Sequence, residues 1–492
     1  MIDVVVVGSG YGGSAVAARL AGRARVLLVE RGRRWAPERL PRTVFDLVRA
    51  YRARGRPTGL WEMRLGRGTG NACATGLGGG SLVNYGISAR PEDSVFDEWP
   101  IDAPAMEPYY ERALARLRPS VSPSAATLGD REFLDRVEPG LREDVACTID
   151  WSRCDECGRC VPGCPTRAKR TLEQTCVDPA IGAGLEVRLE TEVVGLAPHD
   201  DGGWELSLRR KGTFEALRSR GVVLAGGVFG TLDLLSRVRR RVPVSPALGR
   251  GMSMNGDAVA FLYDLPIPMG AHRGAPITTS VRLPFVDGTG RARTATVISG
   301  RLPAAIRRFV GAALAVSAGS AGETLEAPAS PFGRLRDLLE IGEGGAISRS
   351  FMAKFNTQDS CRGEAAFDRD GRSAIDWADY GEDPILRFAA ARVREWGRAV
   401  GAVFLDDPGR WPGMRNFGVH PLGGCRMSRR VEDGVVDPRG RVFRPDGGFH
   451  PTLWIADASI VPAALGVPPS LTVAALGERV ADDVANALGV PS

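Results

Sequence analysis

His420 stands in the run Asn416–Met427, NFGVHPLGGCRM, directly before Pro421 and close to a glycine pair. It is one of four histidines in the chain, with His199, His272 and His450. An imidazole with a pKa near 6.5 can take a proton from a hydroxyl near neutral pH, so His420 is a candidate general base. Cys154, Cys157, Cys160 and Cys164, in CDECGRCVPGCP, form a second cluster spaced C-x2-C-x2-C-x3-C before Pro165. That spacing matches an iron–sulfur run. Four thiolates can also close around zinc, and a cysteine-rich turn without metal, reduced in a cytoplasm, is the third reading. A last constellation binds rather than reacts: Gly8, Gly10 and Gly13 have the spacing G-x-G-x-x-G, and Glu30 follows 20 residues after Gly10. Gly8 permits a tight turn, Gly10 lets backbone N–H groups approach a diphosphate, and Gly13 lets a helix lie against a strand. A carboxylate at Glu30 can bind both hydroxyls of an adenosine ribose.

The elements that must hold these groups are readable from the pattern. Val4–Val7 is an unbroken β-branched run, as in a parallel strand buried on both faces. A helical pattern follows (Ala15, Val16, Ala18, Leu20), then a second apolar strand, Val26–Val29. The helix N-terminus between them offers free N–H groups and a favourable dipole to a diphosphate. In Gly66–Gly86, GRGTGNACATGLGGGSLVNYG, the bunched Gly76, Gly78, Gly79 and Gly80 before Ser81 and Asn84 predict backbone pressed against something flat or bent in ways a Cβ would forbid; a flexible surface loop is the other reading, against which stands the ordered, mixed-apolar sequence that follows. Glu186–Val194, which includes Val193, and Trp204–Leu208 predict short strands; Gly221–Ser236 repeats the strand, glycine turn and helix, with Gly226 in the turn. From Leu248 to Arg410 the pattern changes. Ala258–Tyr263, Thr278–Pro284, Thr294–Ile298 and Ser348–Phe355 alternate between Gly and Pro breaks, predicting an antiparallel sheet with one covered face. His272 and Asp359 are the polar residues of interest there, Ala321–Pro331 reads as a surface loop, and Ile385–Leu405 as a helix.

The chain of 492 residues, 43% hydrophobic and 25% charged, can bury a large core and predicts two domains. Its net charge of +6 is nearly all scattered arginine, with lysine only at Lys169, Lys211 and Lys354, which argues for solvated faces rather than a nucleic-acid groove. No apolar run reaches membrane-spanning length and no signal peptide is evident, so a cytoplasmic location is expected.

The N-terminal fingerprint, the loop GLGGGSLVNYG, and the final stretch (Asn416–Met427, Gly434–Phe443, Leu453–Val484) together resemble the glucose–methanol–choline (GMC) oxidoreductases, in particular their bacterial cholesterol-oxidase-like branch. The resemblance implies an α/β fold (α+β overall): a Rossmann-like FAD-binding domain over 1–247, with a cysteine-rich insertion at about 147–176, and a mainly antiparallel substrate domain over 248–410. Residues 411–492 then return to the FAD-binding domain. It implies FAD contacts from Gly8, Gly10, Gly13, Glu30, Gly78, Gly79, Ser81, Asn84, Val193, Gly226, Asp457, Pro468, Ser470 and Leu471, and it makes His420 catalytic. The glycine loop has no histidine of the kind some members bond to the flavin, so non-covalent FAD is expected. Cysteine-rich segments followed by an Ala-Lys pair, here Ala168 and Lys169, occur in cholesterol-oxidase-like members, which favours the metal-free reading.

One departure stands out. Where the family usually carries Asn or His before the Ser-Leu-Thr-like run, this chain has Pro468, with neither side-chain donor nor backbone N–H. The expected activity is hydride transfer from an alcohol carbon to flavin, on a hydrophobic or polycyclic small molecule, sterol-like or a bacterial secondary metabolite, with dioxygen or another carrier as acceptor. Pro468 motivates an alternative, a non-redox cyclase or isomerase in which FAD is structural and His420 moves a proton. The cysteine run is the only support for a third reading, a plain electron-transfer flavoprotein.

Overall fold

A computed structural model of the chain describes residues 2–53, 57–123, 128–267, 269, 277–301, 346–407 and 414–490. Ala321–Pro331 and His272 lie outside the described residues.

The β-branched run at the N-terminus forms the Ile2–Val7 strand, with Val4, Val5 and Val6 fully buried. It sits at the centre of a mainly parallel sheet. Val26–Val29 pairs on one side in the register Val4↔Val26, with Glu186–Arg188 beyond it. Thr213–Leu224 pairs on the other side, followed by Phe449–Ile455 and Arg441–Phe443. Thr213–Leu224 serves two roles along its length. Its exposed first half continues an antiparallel meander with Thr191–Pro198 and Trp204–Arg210, and its apolar second half enters the parallel core. Helix Tyr11–Leu20 follows the first strand, and the last helix, Ser470–Leu488, lies along it, so both ends of the chain pack together. Arg19 and Asp482 form an ion pair of 3.4 Å across that contact. This is a Rossmann-like, mainly parallel sheet with its first helix at the strand–glycine turn.

A second sheet is wholly antiparallel, in the order Val403–Leu405, Ala258–Tyr263, Phe351–Thr357, Ala292–Gly300, Thr279–Val286, Arg142–Asp144. Its last strand comes from well before residue 248. Helix Pro384–Val400 covers one face with Leu386, Ala389, Val393 and Trp396. The helix expected over Ile385–Leu405 ends early, because Gly401 adopts a left-handed cap (φ 72°) and Val403–Leu405 then joins the sheet edge beside Phe261–Tyr263. A third, small sheet joins the two regions: Thr69–Ala74 runs antiparallel to Trp61–Leu65 and parallel to Asn416–Gly418.

Candidate active site

A cleft opens at the C-terminal ends of the parallel strands, where such sheets bind their ligands. Gly8, Gly10, Glu30, Gly79, Val193 and Gly226 line it together. Gly8 has φ 104°, and a Cβ there would collide with the Ala225 carbonyl, so the turn demands glycine. Gly10 is different. A Cβ on it would meet no protein atom within 4 Å and would project into open space. Gly13 does not line the cleft; its bare Cα lets the helix start against the Gly8 carbonyl. Glu30 accepts hydrogen bonds from Ser9 N (3.1 Å), Ser9 Oγ (2.6 Å) and Gly32 N (2.8 Å), which pins the glycine turn to the end of the second strand. Gly78 (φ 99°) and Gly79 bring the second glycine loop down on the first, and Gly78 N donates to Ser9 Oγ at 3.0 Å.

The other expected binding residues are tied into the scaffold. Ser81 Oγ donates to Gly78 O (2.7 Å) and accepts from Leu172 N (3.0 Å). Asn84 Nδ2 donates to Tyr11 Oη (2.8 Å), and burial pushes the Tyr11 hydroxyl up to about 12. Ser470 Oγ donates to Ile87 O (2.7 Å), and Leu471 is buried behind it. Asp457 is buried, accepting from Thr231 Oγ1 (2.5 Å) and Ser459 N (2.9 Å); burial raises its carboxyl above the usual range despite these donors. Sequence reasoning missed several cleft residues: Arg31 beside Glu30, and Asp233, Leu234 and Arg237 on helix Gly227–Val238. The only signal for the helical group is its place about two to three turns after Gly226.

His420 follows the short strand Asn416–Gly418 and is held by Asp257, the residue before strand Ala258–Tyr263. Asp257 Oδ2 accepts from Val419 N (2.7 Å) and His420 N (2.9 Å), and Oδ1 lies 2.8 Å from His420 Nδ1. A carboxylate so placed fixes the tautomer with the proton on Nδ1 and leaves Nε2 basic. Asn356 Nδ2 also donates to Asp257 Oδ1, at 2.9 Å. Burial raises the Asp257 carboxyl, but His420 and Lys354 together with these donors hold it below the ordinary value. Burial lowers the His420 pKa below 6.5, Asp257 opposes that, and the Lys354 charge adds to it.

Asp359, singled out in the sequence, is fully buried and organises the turn that carries Asp257. It accepts from Ser253 Oγ and Gly256 N, both at 2.8 Å, and burial, reinforced by Asp383, raises it to about 6. Asn255 in that turn donates Nδ2 to Val467 O and accepts from Leu465 N, each at 2.8 Å, placing the Pro468 segment beside the same turn. The strand Thr69–Ala74 connects the two halves of the site. Asn71 is in register with Gly418, two residues before His420, and Ala74 lines the glycine cleft. Three residues of strand span about 10 Å.

Among the described residues no group of three His, Cys, Asp or Glu side chains is arranged to hold a metal ion. Burial pushes the thiols upward, Cys157 to about 11 and Cys160 to about 12. Lys169, following the run, is 1% exposed and donates Nζ to Leu82 O (2.9 Å), Asn84 O (2.8 Å) and Cys160 O (2.9 Å). The segment therefore braces the second glycine loop.

A GMC oxidoreductase N-terminal family model matches residues 4–239, and the C-terminal model matches residues 413–477. The chain belongs to the GMC oxidoreductase family. It is 26% identical to a cholesterol oxidase of Mycobacterium tuberculosis, over 97% of this chain and 90% of that protein. It is 25% identical to a long-chain-alcohol oxidase of Arabidopsis thaliana (96% of this chain, 65% of the relative) and 26% identical to paromamine 6'-oxidase of Streptomyces fradiae (99% and 92%). Among solved structures, pyridoxine 4-oxidase from Mesorbium loti matches with a TM-score of 0.66 at 17% identity, covering 98% of this chain and 99% of that one. A fungal aryl-alcohol oxidase matches with a TM-score of 0.64 at 15% identity, covering 99% of each chain. GMC oxidoreductases are FAD flavoproteins. No helix among the described residues is long and apolar enough to cross a membrane.

Proposed function

We propose that this GMC protein is an FAD-dependent oxidoreductase that oxidises a neutral, largely apolar alcohol, sterol-like or a bacterial secondary metabolite. The observation that carries the reading is His420: Nδ1 is locked on Asp257, while Nε2 has no protein partner among the described residues. The imidazole stands one short strand away from a cleft of bare glycine backbone. That cleft fits a dinucleotide, because Gly10, Gly80 and Gly227 all face open space that a Cβ would partly fill. Gly8, Gly10, Glu30, Gly79, Val193 and Gly226 would hold FAD there without a covalent bond. Tyr11, Asn84 and Ser470 would support the region between cleft and imidazole.

FAD, when bound, supplies the hydride acceptor. The remaining work belongs to the chain. His420 Nε2 takes the hydroxyl proton, and Asp257 stabilises the imidazolium that results. Asp359 and Asn356 keep Asp257 in place. The names of the relatives, cholesterol oxidase and long-chain-alcohol oxidase, support an alcohol as substrate, and none of them supports a non-redox cyclase.

The test is anaerobic addition of cholesterol, 1-dodecanol, pyridoxine and paromamine to the purified yellow protein. Bleaching of the flavin band by one of the neutral alcohols is the expected result, with FAD released into the supernatant on acid precipitation. Protein that stays colourless after incubation with FAD defeats the reading.

A further inference from the structure

Lys354 is one of only three lysines in the chain, and it lies in the strand Phe351–Thr357, FMAKFNT, as its one charged residue. Alternation places Lys354 and Asn356 on the same face of the second sheet. That is the face opposite Ala353 and Phe355, which point into the core. Across the ladder Asn356 is in register with Thr296, and Lys354 with Ile298. The face therefore meets His420 through Asn356 and Asp257.

Three observations show that this face is built for a polar ligand. The Lys354 ammonium has no hydrogen bond or ion pair among the described residues; its one defined contact is the Tyr85 ring, 5.7 Å from Nζ to the centroid. Tyr85 belongs to the second glycine loop and is fixed by its hydroxyl donating to Arg301 O at 3.0 Å. Lys354 thus stands between the His420–Asp257 pair and that loop. Thr296 Oγ1 and Asn356 Oδ1, both in buried residues of the same face, also lack partners. Unpaired buried polar atoms are costly, and these two, on one face with a half-buried ammonium that has no hydrogen bond of its own, call for a ligand that satisfies them. Pro468, in the segment Asn255 holds beside the same turn, offers nothing to a substrate oxygen.

We propose that Lys354 donates a hydrogen bond to the reacting oxygen of the substrate, in place of the side chain that Pro468 lacks, and that its charge selects neutral or anionic substrates over cationic ones. The inference rests on the alcohol-oxidation reading above. No bond of Lys354 is made or broken. As the hydroxyl proton passes to His420 and the carbon-bound hydrogen leaves with its bonding electron pair as hydride, for which bound FAD would supply the acceptor, the substrate oxygen becomes a carbonyl oxygen, and the ammonium would stabilise the negative charge that develops on it. Burial lowers the Lys354 pKa while Asp257 raises it.

Sulfite, a small anion that adds reversibly to oxidised flavin and bleaches it, probes the charge without knowledge of the substrate. Titration of the yellow holoenzyme compares wild type with Lys354→Met, Lys354→Gln and Lys354→Arg. The neutral variants are expected to keep FAD and the wild-type melting temperature but to bind sulfite at least about 10-fold more weakly, with Arg within about 3-fold of wild type. Equal sulfite affinity in a folded, yellow Met or Gln variant, no bleaching of the wild type, or an Arg variant as weak as Met would each overturn the role of Lys354 alone. A wild-type protein that binds no FAD overturns the alcohol-oxidation reading as well.

Discussion

At the residue scale the proposed site reduces to one imidazole and the carboxylate that aims it. His420→Ala is expected to leave the flavin in place and to cut turnover by at least about 100-fold. Asp257→Asn should cost about as much, because the amide keeps one acceptor oxygen and cannot accept both from His420 Nδ1 and from the two backbone N–H groups, and the tautomer is released. The pH dependence has a definite sign. His420 must be neutral to accept a proton, and burial, with Lys354, sets its pKa below 6.5. The rate should therefore hold as pH falls through 6.5 and drop only at more acid pH; an acid limb centred above 6.5 in kcat/KM would contradict this. The two partners differ in how visible they are in the sequence. His420 is legible because it sits inside a long motif. Asp257 lies 163 residues away in an unremarkable SMNGDA, and only the folded sheet brings it to the ring. Lys354 did leave a trace, a rare lysine flanked by Ala353 and Phe355, although its meaning needs the register with Thr296 and Ile298.

At the scale of elements, the first strand–turn–helix separates folding from binding within three residues. Gly8→Ala should destabilise the protein by about 2 kcal/mol or more, since its φ of 104° and the Ala225 carbonyl both reject a side chain. Gly10→Val should melt like wild type yet lose FAD, because its side chain enters only the cleft. Thermal melts and flavin content separate the two; a Gly10→Val protein with stoichiometric FAD would remove the glycine turn from the binding site. Here the sequence was highly informative, because glycine spacing, strand runs and Glu30 encode a local unit whose geometry depends on near neighbours. It was less so for the helix expected to reach Leu405, where Gly401 and the pairing of Val403–Leu405 with Phe261–Tyr263 won over helical periodicity. For the cysteine run, spacing alone cannot foresee that Lys169 would reach three carbonyls and make the segment a brace. Lys169→Met should leave those acceptors unpaired, at about 1–3 kcal/mol, and lower the melting temperature together with FAD affinity.

At the scale of the whole molecule, one buried carboxylate couples the cleft to the rest of the structure. Glu62, on strand Trp61–Leu65 and 0% exposed, accepts from Arg31 (2.9 Å), Arg52 (2.7 Å) and Arg64 (3.0 Å). Arg64 also pairs with Asp233 at 2.9 Å, and Asp233 accepts from Ser373 N at 2.6 Å. Arg31 and Asp233 both line the glycine cleft, so the network joins the edge of the parallel sheet, the small sheet, helix Gly227–Val238 and the hairpin Glu364–Asp376. Burial raises the Glu62 carboxyl, but the three guanidinium groups more than offset it and hold it well below the usual carboxylate range. A depressed carboxylate contributes stability above its unfolded pKa and loses it as pH falls below that value. Removing one member of a buried ionic cluster strands the others, so Glu62→Gln is expected to cost about 3–5 kcal/mol and to loosen FAD. The wild type should melt lower as pH drops below about 4.5, and the variant should show a smaller drop because its contribution is already gone. Melting curves across that range, read with flavin retention, decide the matter: a variant with wild-type stability and the same acid slope would mean the arginines find other partners and the cluster does not tie the cleft to the fold.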